Sequence, residues 1–173
     1  MREKFSSWDS APEIARQSSW ENELQRSLDQ LDETKTWALL PFLMGASAEL
    51  LGALSDRAAA RTILARAAEL VLLSDERWYQ PEIMRLEAAF ICENPADKAD
   101  MLRRSLELSH EQDSNLWKLR SAIDLAELLV EQGRRDAARK LLAPVYGWFT
   151  EGFDTPDLKG AKALLEELTL ACN

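Results

Sequence analysis

The chain has little of the material from which catalytic and metal sites are built. Its 173 residues include a single histidine, His110, and two cysteines, too few for a disulfide framework or a zinc site made of those ligands. A phosphate-binding Gly-x4-Gly-Lys-Ser/Thr loop is missing, because Phe153 follows the glycine pair of that spacing, Gly147 and Gly152. The dinucleotide and nucleophile-elbow glycine motifs are missing too. We therefore expect no enzymatic activity, no cofactor and no metal.

Positive charge and long apolar runs are also scarce. There are 21 basic against 30 acidic residues, so the formal charge is −9, and such a field repels the phosphates of nucleic acids. The least polar stretch, residues 37–54, contains Pro41 and Glu49 and falls short of the roughly 20 apolar residues that span a bilayer. Residues 1–12 lack the apolar core of a secretory signal. We expect a cytoplasmic protein that inserts into no membrane and binds no nucleic acid.

The apolar residues that are present follow the spacing of helices. No run alternates between apolar and polar residues with a period of two, so a sheet is not expected. Two segments instead show the i, i+3, i+4, i+7 pattern of one helix face. They contain Ala122, Leu125, Ala126 and Leu129, and Ala138, Leu141, Leu142 and Val145.

The helical pattern recurs every 39 residues. Trp78 and Trp117 are one such interval apart, and shifting the chain by this interval brings similar residues into register. The best columns are Met44, Ile83 and Ala122; Leu51, Phe90 and Leu129; Ala60, Ala99 and Ala138; Ile63, Leu102 and Leu141; and the turn residues Ser55, Asn94 and Gly133. This predicts three repeats, residues 35–73, 74–112 and 113–151, each made of a helix A, a short turn and a helix B.

Half repeats flank these three. Residues 18–32 match a lone helix B, and residues 155–171 match a lone helix A that caps the array. The sequence therefore predicts one all-α domain over residues 1–173, with about seven to eight helices. Stacked helix pairs of this kind form a right-handed α-solenoid. The period is longer than the ~34 residues of the tetratricopeptide repeat and approaches that of the HEAT class, and we favour a tetratricopeptide-like solenoid with lengthened helices.

Prolines modify the predicted helix boundaries. Pro95 and Pro156 stand where they can open helices. Pro41 and Pro81 fall inside helices A of the first two repeats, which we expect to start late or bend. Pro144 is expected to bend the last helix B.

A few side chains invite a functional interpretation. His110 is expected near a helix end as an exposed cation, and Cys92 as a small core residue on a helix A. We expect Trp148 and the nearby Phe149 and Phe153 to plug the joint between the last repeat and the terminal helix; the alternative is a ligand pocket.

A resemblance covers roughly residues 60–170. The segment Gly133 to Leu168 reads GRRDAARKLLAPVYGWFTEGFDTPDLKGAKALLEEL, and it resembles the C-terminal helical-repeat region of large bacterial class III adenylate/guanylate cyclases and related ATPase-containing regulators. The upstream Glu76-Arg77-Trp78-Tyr79 is similar to the preceding repeat of that region. The resemblance implies a regulatory, protein-binding repeat domain without cyclase activity, either as a stand-alone relative or as a detached C-terminal module.

The expected function is protein–protein interaction, with a peptide, a partner domain or a second copy of the chain as partner. Helices A line the concave surface of such solenoids. The residues expected to face this surface are Leu40, Leu43, Tyr79, Glu82, Arg85, Lys118, Arg120 and Asp124. The alternative is that the N-terminal helix covers Leu40 and Leu43. A small-ligand sensor that uses Arg85, Arg120 and Asp124 is the competing function.

Overall fold

The computed structural model describes residues 26, 27, 30, 39–74 and 77–170. The regular structure of these residues is entirely helical, which confirms the all-α prediction. The α-helices of the described ranges are α1 (Leu40–Ala53), α2 (Arg57–Ser74), α3 (Gln80–Phe90), α4 (Pro95–Glu111), α5 (Asn115–Glu131), α6 (Arg135–Tyr146) and α7 (Pro156–Leu170). A short 3₁₀ helix, Arg77–Tyr79, precedes α3.

These helices lie close to the predicted positions. The pairs α1/α2, α3/α4 and α5/α6 provide a helix A and a helix B for each of the three repeats, and α7 occupies the predicted terminal segment. The half repeat predicted at residues 18–32 lies outside the described residues, except that residues 26, 27 and 30 are helical.

The chain divides into two compact units, an N-terminal unit (Met1–Tyr79) and a C-terminal unit (Gln80–Asn173). In the N-terminal unit α1 packs against α2. In the C-terminal unit α4 lies against α3 and α5, and α6 against α5 and α7. The helices A of this unit are also direct neighbours, because α5 packs against both α3 and α7. The C-terminal unit thus places three successive helices A side by side.

Prolines lie at the starts of several helices, and an asparagine caps one of them. Pro41 lies in the first turn of α1. The second helix A begins late, since the 3₁₀ turn ends at Tyr79 and α3 starts at Gln80. The Asn94 side chain caps α4 by accepting a hydrogen bond of 2.8 Å from the Asp97 backbone N–H, as N-cap residues do. Pro144 lies inside α6, which ends two residues later.

The turns inside the three repeats differ, although Ser55, Asn94 and Gly133 occupy the same position of the 39-residue pattern. Ser55 and Gly133 end α1 and α5 in the left-handed region, with φ of 70° and 74°. The following backbone N–H in each case reaches five residues back, at 2.9 Å for Asp56 and 2.8 Å for Arg134, the pattern of a Schellman cap. Asn94, expected to match them, has φ of −95° because it caps the next helix instead of closing the preceding one.

The recurring alanines Ala60, Ala99 and Ala138 are all buried. Protein interiors are closely packed, so these positions favour a small side chain. Around Ala99 and Ala138 the core of the C-terminal unit contains leucines from α4 to α7. Within residues 39–74 and 77–170, no helix has both the length and the apolar character that crossing a bilayer requires.

Candidate functional site

The eight residues predicted to face a partner do not share one environment. Leu40, Tyr79, Glu82 and Arg85 are buried, so the expectation that they lie outside the core was wrong. Leu43 is exposed. The α5 residues of the predicted set are half-buried; they are Lys118, Arg120 and Asp124.

In α1 the buried stripe runs through Leu40 instead of beside it. Leu40, Met44, Ala48 and Leu51 are all buried, and their spacing of three or four residues places them on one helix face. Leu43 lies outside this stripe and is 38% exposed. One of the two leucines predicted to face a partner therefore belongs to the core.

An apolar surface is nevertheless present in the N-terminal unit. Leu39, Phe42 and Leu43 lie at i, i+3 and i+4 at the start of α1 and are exposed, so they are surface neighbours. Trp78 is 40% exposed, and its ring stacks on Phe42 with centroids 6.1 Å apart. We call these four residues the apolar patch.

The buried side chain of Tyr79 packs against two residues of this patch. Its ring centroid lies 5.3 Å from that of Phe42, which it meets edge-on, and 5.3 Å from that of Trp78. Aromatic pairs favour such arrangements. It also lies directly on the backbone of Gly45, where an added Cβ would come within 2.6 Å of the ring atom Cε1. The absence of a side chain at residue 45 is therefore what lets the tyrosine ring fit.

The C-terminal unit carries a buried ion pair. Glu82 and Arg85 lie one turn apart on α3, and the guanidinium donates from Nε and Nη2 to the two carboxylate oxygens at 2.9 and 2.8 Å. Glu82 is fully buried and Arg85 almost so. A buried charge without a partner would be very costly. Here the two parallel hydrogen bonds between guanidinium and carboxylate give each charge a partner in the strongest geometry.

Three helices A contribute to the complete charge network. The Arg85 Nη1 donates to Asp124 Oδ2 of α5 at 2.9 Å, and Arg120 of α5 donates to Glu82. Arg120 also pairs with Asp157 of α7, with Nε and Oδ1 3.5 Å apart. The order Asp124, Arg85, Glu82, Arg120, Asp157 alternates in sign, so each charge stabilises its neighbours. We call these five residues the charge network.

Buried serines extend the polar contacts to α4. The Ser105 hydroxyl lies 2.7 Å from both the Pro81 carbonyl oxygen and the Ser121 hydroxyl. The carbonyl can only accept, so Ser105 donates to it and Ser121 donates to Ser105. Both serines are fully buried. The hydrogen bonds therefore fix how α3, α4 and α5 approach one another.

The sequence identified most members of this network but not its form. Glu82, Arg85, Arg120 and Asp124 were predicted to face a partner or a ligand, whereas the structure pairs them with one another. One signal was present in the sequence: Arg85 and Asp124 are one 39-residue interval apart and carry opposite charge. Asp157, in the first turn of α7, was not among the predicted residues.

A concave surface lies at the end of the C-terminal unit. It is an open groove of about 440 Å³ between the end of α6 and α7. Its lining residues are Tyr146, Lys162, Leu165, Glu166, Thr169 and Leu170. We call it the C-terminal groove.

The aromatic plug predicted beside this groove forms only in part. Phe149 packs against the core, and Phe153 contacts Tyr146 with ring centroids 5.9 Å apart. Trp148, in contrast, is 62% exposed, so its expected place in the plug was wrong.

The remaining candidates for chemistry are individual groups. His110 is exposed in the last turn of α4, as predicted. Cys92 follows α3 instead of lying on it, and it is half-buried. Burial raises the pKa of its thiol, with Asp97 and Glu87 adding to the effect, which opposes the reactive thiolate. Burial also raises the pKa of the Glu87 carboxyl. The described residues bring together no trio of His, Cys, Asp or Glu that could hold a metal ion.

Comparisons with protein-family models, curated proteins and solved structures found no match to the chain.

Proposed function

We propose that the chain is a non-catalytic protein-interaction module. The observation that carries this proposal is the apolar patch, in which four large side chains adjoin on the surface of the N-terminal unit. Aromatic and aliphatic side chains that share an exposed surface are typical of protein-binding sites, and tryptophan is the residue type most enriched among binding hot spots.

We further propose that the helix pairs stack as a right-handed tetratricopeptide-like α-solenoid. Two features of the C-terminal unit support this: α3, α5 and α7 are neighbours, and the Arg85–Asp124 ion pair joins equivalent positions of successive repeats. A regulatory role related to cyclase-associated repeat regions is supported by the sequence resemblance alone. A cytoplasmic location is part of the same proposal.

A small-ligand sensor has less support. Its candidate residues, Arg85, Arg120 and Asp124, point their charged groups at one another and at Glu82. A ligand would have to compete with these internal hydrogen bonds, and the charge-assisted pairs among them are the stronger kind.

The proposal is tested by partner capture with a matched pair of variants. The immobilised chain is incubated with lysate of its native host, and bound proteins are quantified by mass spectrometry. Leu43→Glu alters the apolar patch, and Leu73→Glu makes the same change at an exposed leucine of α2. We expect specific partners to be lost with the first variant and kept with the second, with both variants equally helical by circular dichroism.

Self-association is distinguished by light scattering over a range of concentrations. A mass near twice 19.6 kDa that falls to the monomer value in Leu43→Glu would identify a second copy as the partner. Identical sets of captured proteins and identical masses for both variants would refute the apolar patch as the binding surface.

A further inference from the structure

We propose that the connection between α6 and α7 binds an arginine- or lysine-containing segment of a partner protein. This connection spans residues 147–155, and we call it the acidic turn. The inference rests on the proposed interaction function and adds to it a second surface and the charge of the partner. Its basis is an exposed tryptophan and two exposed carboxylates that a single, well-held turn displays.

Trp148 supplies an open aromatic face. At 62% exposure it is the most exposed aromatic side chain of the described residues. Its ring meets that of Phe149 in a T-shaped arrangement with centroids 5.2 Å apart, and Phe149 itself packs against the core. This contact orients the indole while most of the ring stays in solvent. Among aromatic rings, the face of tryptophan attracts a lysine or arginine cation most strongly.

Two carboxylates accompany the indole in the acidic turn. Glu151 and Asp154 are exposed, and in the described ranges no ion pair or hydrogen bond engages either side chain. Residues 141–158 contain no lysine, arginine or histidine. The third acid of this stretch, Asp157, already pairs with Arg120. The negative charge of the turn is therefore not balanced by its own segment, and a complementary partner is positively charged.

Contacts within the fold hold the acidic turn in place. Phe153 packs against Tyr146 with ring centroids 5.9 Å apart. The backbone N–H and the hydroxyl of Thr155 both donate to the Gly152 carbonyl oxygen, at 2.9 and 2.7 Å. Gly152 has φ of 77°, a conformation that favours glycine. A turn that is already ordered loses little conformational freedom on binding, which favours affinity.

The chemistry of these groups identifies the occupant. An arginine or lysine side chain has an apolar stem and a cationic end, so it can lie on an aromatic face and pair with a carboxylate at once. Arginine suits both contacts best, because its planar guanidinium stacks on aromatic rings and forms two parallel hydrogen bonds to a carboxylate. An acidic segment would meet repulsion from Glu151 and Asp154.

The test uses two labelled synthetic peptides of equal length. Arginines alternate with glycine and serine in the first, and the second carries citrulline, a neutral analogue of similar shape, in place of each arginine. Binding to the full chain is followed by fluorescence anisotropy at low and at physiological salt. We expect saturable binding of the arginine peptide, much weaker binding of the citrulline peptide, and a smaller difference at the higher salt, because salt screens exposed charges.

Tryptophan variants then locate the aromatic contact. Trp148→Ala should weaken binding of the arginine peptide about tenfold, and Trp148→Phe should weaken it less, since phenylalanine keeps an aromatic face that attracts cations less strongly. Trp78→Ala is the matched control, because Trp78 is the other exposed tryptophan of the described residues and belongs to the apolar patch. It should leave the affinity unchanged. Circular dichroism checks that all three variants are folded.

Neutral substitutions test the contribution of the carboxylates. Glu151→Gln combined with Asp154→Asn should weaken binding about tenfold at low salt and less at physiological salt. The control combines Glu107→Gln with Glu111→Gln, which removes the same charge from exposed positions of α4. We expect the control to weaken binding only slightly, because it lowers the charge of the chain without altering the acidic turn.

Several results would overturn the inference. They are the absence of saturable binding by the arginine peptide at millimolar concentration, equal affinity for the citrulline peptide, full affinity in Trp148→Ala, and equal losses in the two charge variants. If partner capture depends on Leu43 while the arginine peptide fails to bind, the inference about the acidic turn alone is wrong. If capture does not depend on Leu43 while the peptide binds through Trp148, the apolar patch is wrong and the acidic turn stands.

Discussion

The two units use equivalent helix positions for different purposes. Leu43 of α1, Glu82 of α3 and Ser121 of α5 occupy one repeat column. Leu43 is exposed in the apolar patch, Glu82 is buried in the charge network, and Ser121 is buried in the serine contacts. The N-terminal unit thus presents apolar side chains outward, whereas the C-terminal unit turns polar ones inward. A repeat column therefore predicts the helix but does not predict what each copy of the position does.

Polar burial also gives the C-terminal unit a kind of specificity that the patch lacks. An apolar contact accepts many orientations, whereas each charge in the network needs its partner at hydrogen-bond distance. The network therefore favours one relative placement of α3, α5 and α7. The side chains of the apolar patch, in contrast, are exposed.

The largest difference between the units is expected from removing the buried acid. Glu82→Ala leaves Arg85 buried without its main partner, and breaking a buried ion pair in this way costs about 3–5 kcal/mol. Leu43→Ala, at the same repeat position, removes an exposed side chain and should cost less than about 1 kcal/mol. Urea denaturation followed by circular dichroism measures both. A loss below about 1 kcal/mol in Glu82→Ala would mean that the network does not hold the helices together.

Two glycines provide the next contrast. Gly45→Ala places a methyl group against the Tyr79 ring, and such overpacking costs about 1–3 kcal/mol. Gly160→Ala, on an exposed face of α7 with no atom within 4 Å of the added carbon, should stabilise by about 0.5–1 kcal/mol through helix propensity. Thermal unfolding of both variants decides the matter. Equal shifts in the same direction would show that the Tyr79 ring does not need residue 45 to be glycine.

The sequence predicted the helices far better than the surfaces. Apolar spacing and the 39-residue interval predicted every α-helix of the described ranges, because that pattern reflects the side of each helix that packs. It placed Glu82 and Arg85 outside the core because their repeat columns lie beside the apolar stripe of helix A. Their burial depends on partners from α5, and such pairing is a property of the packed helices. The prediction that Leu40 faces a partner was wrong for a different reason. Because α1 is apolar on most sides, the sequence did not define which of its faces packs in the core.

The turns allow a finer comparison between the units. Gly133→Ala forces a residue with a side chain to adopt φ of 74°, which costs about 1–2 kcal/mol. The equivalent Ser55 already bears that cost at φ of 70°, so Ser55→Gly should stabilise by up to about 1 kcal/mol. Chemical denaturation of the two variants should give changes of opposite sign. A destabilised Ser55→Gly would mean that the serine side chain contributes more than the strained backbone costs.

The smallest expected effect concerns the half-buried Glu87 and depends on pH. Burial raises the pKa of this carboxyl above its ordinary value of 4.5, so the folded state holds the proton more tightly than the unfolded state does. Stability therefore falls as the pH rises through the interval between the two pKa values, and the full penalty persists at higher pH. Glu87→Gln removes the ionisable group and should raise the melting temperature slightly at pH 7 but not below pH 4, where the carboxyl is protonated in both states. Glu107→Gln, at an exposed position of α4, corrects for the lower net charge. If the two variants raise the melting temperature equally at pH 7, the gain comes from relief of general repulsion in an acidic chain, and burial of Glu87 has no measurable cost.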